Sequence, residues 1–232
     1  MKIEEKDFKN LYGSNKNSKW EKFLKYFLWV VYTMASVLII FTLVNFNTFL
    51  KKFNFWYQEN ISNQEADNSP LINPDRPRNS TDDIINVPVV SNNSIVIEKI
   101  NVDIPIIWNT QNIPSEVESN LKNGVIHLKG TALPGEKGNV FITGHSSDYF
   151  WSTGNYKEAF VLLDKLVIGD RVYVNFNDVV FGYKVVEIKI VKPSEISVLD
   201  QEDNHELTLM TCTPVGTAFN RLIIIAEEFY KR

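Results

Sequence analysis

The sequence is short of the residues that build covalent and metal frameworks. Among its 232 residues there is one cysteine, Cys212, and there are three histidines. A lone cysteine forms no intrachain disulfide, and zinc sites built from several cysteines are excluded with it. At 44% hydrophobic residues, the composition excludes a collagen-like repeat, a fully disordered chain and a polytopic membrane protein. The length allows one ordinary domain with attachments, or two small ones. Charge is missing locally: no charged residue stands between Lys25 and Lys51.

That uncharged run, Tyr26 to Leu50, is 25 residues long. As a helix rising about 1.5 Å per residue it crosses a hydrocarbon core of about 30 Å. A core helix of a soluble protein carries a polar stripe. Positions 26–44 are apolar on every side, with Thr33, Ser36 and Thr42 as small breaks. A cleaved signal peptide has a shorter apolar region, about 7–15 residues, and a small-x-small cleavage site. Here Phe49, Leu50, Lys51, Lys52 and Phe53 follow, so a retained anchor is expected. Trp29, Tyr32, Phe53, Trp56 and Tyr57 include several residues near the ends, where interfacial aromatics sit.

Net charge is −4 overall but is divided unevenly, with +5 over residues 1–57 and −9 over residues 58–232. Lys16, Lys19, Lys22 and Lys25 precede the span, and Lys51 and Lys52 follow it. The positive-inside bias predicts a cytoplasmic tail over 1–25, a transmembrane helix over 26–50 and a body outside the cell membrane. Residues 51–93 read as a flexible extracytoplasmic linker, because most of the segment is rich in Asn, Ser, Asp and Pro without an apolar period. The Asn-x-Ser/Thr triplets at Asn60, Asn79 and Asn92 matter only in a glycosylating host.

From Ser94 the texture changes. SIVIEKI and VDIPIIW read as strands. PSEVESNLKNG reads as a short helix capped by Ser115 and ended by Gly124. GVIHL, NVFITGH, RVYVNF, VVFGYKVVEIKIV, HELTLMTC and RLIIIAEEF supply further strands. KEAFVLLDKLVIGD mixes a short helix with a turn, and Asn177-Asp178 marks a hairpin. About eight strands with few helices predict a mainly β domain over 94–232, closed or nearly closed as a barrel.

Cys212 has two readings. A free cysteine is commonly a small buried hydrophobe. This one ends a strand-like run before the turn-rich segment TPVGTAFN, and strand ends beside loops face openings. If the strands on either side pair, Arg221 falls next to Cys212, and a guanidinium favours a thiolate. His127 and His205 lie in or beside strands and suit structural roles. His145 ends a strand and opens into the loop SSDYFWSTGNY, whose aromatic residues suit either a groove or outer packing. A Cys, a His and an Arg at three strand ends suit acyl transfer: a nucleophile, an acid–base and an oxyanion stabiliser.

TLMTC followed by Arg221, with ITGH upstream, resembles the sortases, the cysteine transpeptidases of bacterial cell surfaces. GTALPGEKGNVFITGHSS and LDKLVIGDRVYV resemble them as well. The resemblance covers about residues 94–232. It implies an eight-stranded sortase-type β-barrel with short helices and one preceding transmembrane helix. It implies Cys212 as nucleophile, His145 as general acid/base and Arg221 as oxyanion or substrate stabiliser. It implies cleavage of a sorting-signal peptide through a thioester, then transfer to an amine on the cell wall or a surface protein. The partners implied are surface proteins with a C-terminal sorting signal and an acceptor such as a peptidoglycan precursor or a pilin lysine. No cofactor and no nucleic acid are expected, and no acidic cluster compels a calcium site. The sequence shows no aspartate–aromatic lid motif and no C-terminal span, which argues against the pilin-polymerising subgroup.

Two other readings compete. An L,D-transpeptidase places its cysteine after a His-Gly pair, whereas Met210 and Thr211 precede Cys212. The other is a non-catalytic, membrane-tethered peptide-binding barrel.

Overall fold

The computed structural model describes residues 18–44, 46–67, 87–148 and 152–232. Helix α1 (Ser18–Val44) is a unit by itself. Within Lys19–Val44 an 18-residue window has a mean hydropathy of 2.3 with none of it buried, and the helix is long and apolar enough to cross a membrane. Three of its hydroxyls are satisfied within the helix. Thr33 donates to the Val30 carbonyl, Ser36 to Tyr32 and Thr42 to Leu38 and Ile39. Such internal bonding is what an apolar solvent demands of a polar side chain.

The second unit begins at Asn45. Helix α2 (Phe46–Asp67) falls where the end of the span and the start of a flexible linker are expected. Local composition misses it because tertiary contacts hold it. Phe55 packs against the barrel core. Thr48 donates to Glu158 Oε1 at 2.6 Å, and Lys51 pairs with Glu158 and Lys52 with Asp164, each at 2.9 Å. Much of the rest of the expected linker, 68–86, lies outside the described residues.

Eight strands follow: β1 (Ser94–Ile97), β2 (Val102–Thr110), β3 (Val125–Leu128), β4 (Gly138–Thr143), β5 (Arg171–Phe176), β6 (Val179–Val191), β7 (His205–Thr213) and β8 (Asn220–Lys231). They close into a barrel in the order β1-β2-β3-β4-β7-β8-β6-β5. Closure leaves no edge strand. Most pairs are antiparallel. Asn177 and Asp178 both have positive φ, the mark of a tight two-residue hairpin, and they join β5 to β6 with Phe176 opposite Val179. The pairings of β2 with β3 and of β4 with β7 are parallel and need crossovers. Helix α3 (Pro114–Leu121) makes the first. It starts with Pro114 at its first turn and Ile113 before it, rather than with Ser115 as a cap. Instead of the short helix expected within KEAFVLLDKLVIGD, the chain makes turns and one 3₁₀ turn at Leu163–Lys165.

Inward-facing residues of every strand form one core, with Ile95, Val125, Val172, Val174, Leu207, Leu209 and Ile224 wholly buried. Each such side chain contributes about 1.5–3 kcal/mol. Exposed ion pairs contribute about 0–1 kcal/mol, so burial and not charge sets the stability.

Candidate active site

Three strands build the site. Val140 and Ile142 of β4, Leu207 and Leu209 of β7, and Leu222 and Ile224 of β8 belong to the core. Alternation along each strand sends Thr143, Met210 and Ile223 to the outer face. Cys212 and Arg221 share that outer parity. They are direct partners across the antiparallel β7–β8 ladder.

His145 reaches the same place by a parallel route. The last pair of the β4–β7 ladder is Thr143 with Met210. His145 lies two residues past Thr143, and Cys212 lies two past Met210. The chain stays beside β7 beyond the strand end. The Gly144 N–H donates to Met210 O at 3.2 Å, and Thr211 Oγ1 donates to Gly144 O at 2.8 Å. The Phe160 N–H donates to the His145 carbonyl at 2.8 Å and holds it from outside. The three residues singled out from the sequence thus gather at one end of three adjacent strands.

Each has a distinct environment. Burial holds the His145 imidazole below the ordinary histidine range, while Asp148 and then Glu118 pull it upward. Arg221 Nη1 donates to the carbonyls of Ala218 and Asn220, both at 3.1 Å, which fixes the guanidinium at the start of β8. Among the described residues it makes no ion pair. Cys212 is half-buried and lines a cavity of about 140 Å³. Small-molecule pockets run about 300–1,000 Å³, so this one suits a residue or two of a peptide.

Of that cavity's wall sequence reasoning singled out only Cys212; Ser146, Asp164 and Lys52 are among the residues it missed. Ser146 had a signal, being the first residue after His145. It is 2% exposed, and its hydroxyl finds no partner among the described residues. Lys52 gave no signal, because it arrives on α2. Ser147 Oγ accepts from the Gly216 N–H at 2.9 Å, which ties the loop after β4 to the loop after β7.

The other histidines stand apart. His127 is fully buried. Its Nδ1 accepts from the Asn109 N–H, so Nε2 carries the proton of the neutral ring and faces Ala132 O and Thr131 Oγ1, both at 3.0 Å. His205 is exposed at the start of β7. Of the aromatic loop, Tyr149, Phe150 and Trp151 lie outside the described residues, while Tyr156 packs against the core. Among the described residues no group of three or more His, Cys, Asp or Glu is placed to hold a metal.

The family model of the sortase domain matches residues 95–229. The chain is 32% identical over 136 residues to sortase D of Bacillus subtilis (strain 168), covering 57% of this chain and 61% of that one. It is 25% identical over 201 residues to sortase A of Listeria monocytogenes, covering 82% and 87%. Among solved structures, sortase C1 of Streptococcus agalactiae superposes with a TM-score of 0.51 at 31% identity, over 59% of this chain and 66% of that one. Sortase C1 of Streptococcus suis gives 0.52 at 26% identity, over 61% and 74%. The chain thus spans less than two thirds of the B. subtilis relative's length. With that domain matched across more than half of its residues, on the strands that bring Cys212, Arg221 and His145 together, the chain belongs to the sortase family.

Proposed function

We propose that this protein is a membrane-anchored cysteine transpeptidase acting on sorting-signal peptides. The observation that carries the reading is the gathering of His145, Cys212 and Arg221 on the outer face of β4, β7 and β8 beside a peptide-sized cavity.

The Cys212 thiolate attacks the carbonyl carbon of the scissile peptide bond, and Arg221 stabilises the oxyanion that develops. The C–N bond breaks, and the His145 imidazolium gives its proton to the departing amine. The product is a thioester on Cys212. An acceptor amine attacks that thioester, the neutral imidazole takes the amine's proton, and the thiolate leaves. Atoms and charge balance over the two halves. The donors are surface proteins with a C-terminal sorting signal, and the acceptor is an amine on a peptidoglycan precursor or a pilin lysine. Helix α1 anchors the chain in the cell membrane with its N-terminus in the cytoplasm and the barrel outside.

The test is intact-mass spectrometry of the full chain after incubation with a library of sorting-signal peptides. An acyl adduct on Cys212, absent from Cys212→Ala, is the expected result. No adduct across the library, with peptide still bound, supports the non-catalytic binding barrel instead.

A further inference from the structure

Helix α2 has two unlike faces. Thr48, Lys51, Lys52 and Phe55 are turned toward the barrel and held there. On the opposite side, Phe46, Leu50, Phe53 and Tyr57 recur at spacings of three and four, with Trp56 beside them. This stripe is exposed: Phe53 is 57%, Trp56 56% and Tyr57 53% accessible. Phe53 stacks on Tyr57 and lies against Trp56, with ring centroids 6.2 and 5.9 Å apart, so the three rings form one patch. Contiguous exposed apolar surface on a folded domain marks a place of contact.

We propose that this stripe lies in the headgroup layer of the lipid bilayer, as an interfacial helix parallel to the surface. The proposal rests on the reading of α1 as a membrane anchor. Three observations select a lipid surface as the occupant. Helix α2 begins at Phe46, two residues after α1 ends at Val44, so the stripe continues the apolar helix in sequence. Trp56 and Tyr57 are amphipathic aromatics of the kind that settle at membrane–water boundaries. The lysines that end the uncharged run, Lys51 and Lys52, point to the barrel and are neutralised by Glu158 and Asp164. No lysine therefore interrupts the stripe.

Geometry decides between lying and standing. Upright, α2 would carry Trp56 about 18 Å beyond Val44, past an interfacial layer of about 5–8 Å per leaflet. Only a helix along the surface keeps the whole stripe at headgroup depth. The opposite face of the same helix contributes Lys52 to the wall of the Cys212 cavity, so the site is held close to the headgroups.

The test uses the full chain carrying Cys212→Ala, in nanodiscs of phosphatidylcholine and phosphatidylglycerol. Single spin labels are placed at Met34→Cys, Phe53→Cys and Trp56→Cys, and collision with oxygen and with a water-soluble nickel chelate reports depth. The expected result is Met34→Cys deep in the bilayer and Phe53→Cys and Trp56→Cys at headgroup depth. Met34→Cys deep with the other two freely hit by nickel overturns the proposal and leaves the anchor standing. Labels at 53 and 56 shielded from both reagents and broadened by neighbouring copies assign the stripe to a second copy of this chain, which also overturns it. Met34→Cys in water overturns the anchor and the proposal together.

Discussion

Cys212 of β7 sits directly opposite Arg221 of β8 in the antiparallel ladder, on the outer face of the barrel. The pairing belongs to the sheet and not to a mobile loop. Substituting the arginine therefore changes the chemistry while leaving the register intact. Arg221→Ala lowers kcat by roughly 10²–10³-fold, the usual cost of one lost oxyanion donor. Arg221→Lys keeps the charge without the planar fork and falls between. Steady-state kinetics on a sorting-signal peptide, with circular dichroism as the control for folding, measures both. An Arg221→Ala enzyme as fast as the wild type would remove the residue from the mechanism.

Gly144 is a packing requirement next to His145. A Cβ there comes within 2.8 Å of Val125 Cγ1 and 2.9 Å of Phe160 Cδ2. Phe160 also donates its N–H to the His145 carbonyl, so relief of the clash moves the histidine. Gly144→Ala is expected to cost about 1–3 kcal/mol of stability. It also lowers kcat/KM by roughly 10²-fold at temperatures where the protein remains folded, since small misplacements are that costly. Normal kcat/KM in a destabilised variant would show that His145 does not depend on this packing.

The pH profile follows from the burial of His145, which lowers its proton affinity. In the proposed reaction His145 gives up a proton in the first half and takes one in the second. One limb of the kcat/KM–pH profile therefore reports its pKa. It is expected below about 6.5, the ordinary histidine value. Asp148 opposes the shift, so Asp148→Asn moves the limb lower still. A limb that stays put in Asp148→Asn argues against His145 as the titrating group.

Ser146 separates binding from stability. A buried hydroxyl without a partner costs about 1–3 kcal/mol, so Ser146→Ala folds as well as the wild type or better. If its hydroxyl bonds the peptide backbone in the cavity, kcat/KM falls by about tenfold, near the 0.5–1.5 kcal/mol of one hydrogen bond. Thermal melts and peptide kinetics on the same preparation read both effects. Unchanged kinetics would make Ser146 a wall residue only.

Local chemistry explains which features were legible in the sequence. Alternating apolar residues and the Asn177-Asp178 turn mark β5 and β6 wherever the chain goes. Cys212 and Arg221 come together because two consecutive strands joined by a short turn have little choice but to pair. From local pattern His145 was legible as a strand end opening into a polar loop, and its role came from the family resemblance. Its approach to Cys212 depends on the parallel pairing of β4 with β7, which no local pattern encodes. Helix α2 was missed for the same reason. The partners of Thr48 and Lys52 are Glu158 and Asp164, more than a hundred residues on. The start of α3 was misread because Pro114 outweighs Ser115 as a helix signal.

Strand β7 lies between β4 and β8 in a sheet that closes on itself. A strand flanked on both sides by ladders opens to solvent only when much of the domain opens with it. Cys212 therefore rides on a part of the molecule expected to exchange slowly, while the segment between β6 and β7 carries none of the three residues gathered at the site. Changes of length or composition there are expected to leave His145, Cys212 and Arg221 in place. Heat inactivation is correspondingly expected to be all-or-none, with loss of turnover and loss of amide protection in β7 arriving together.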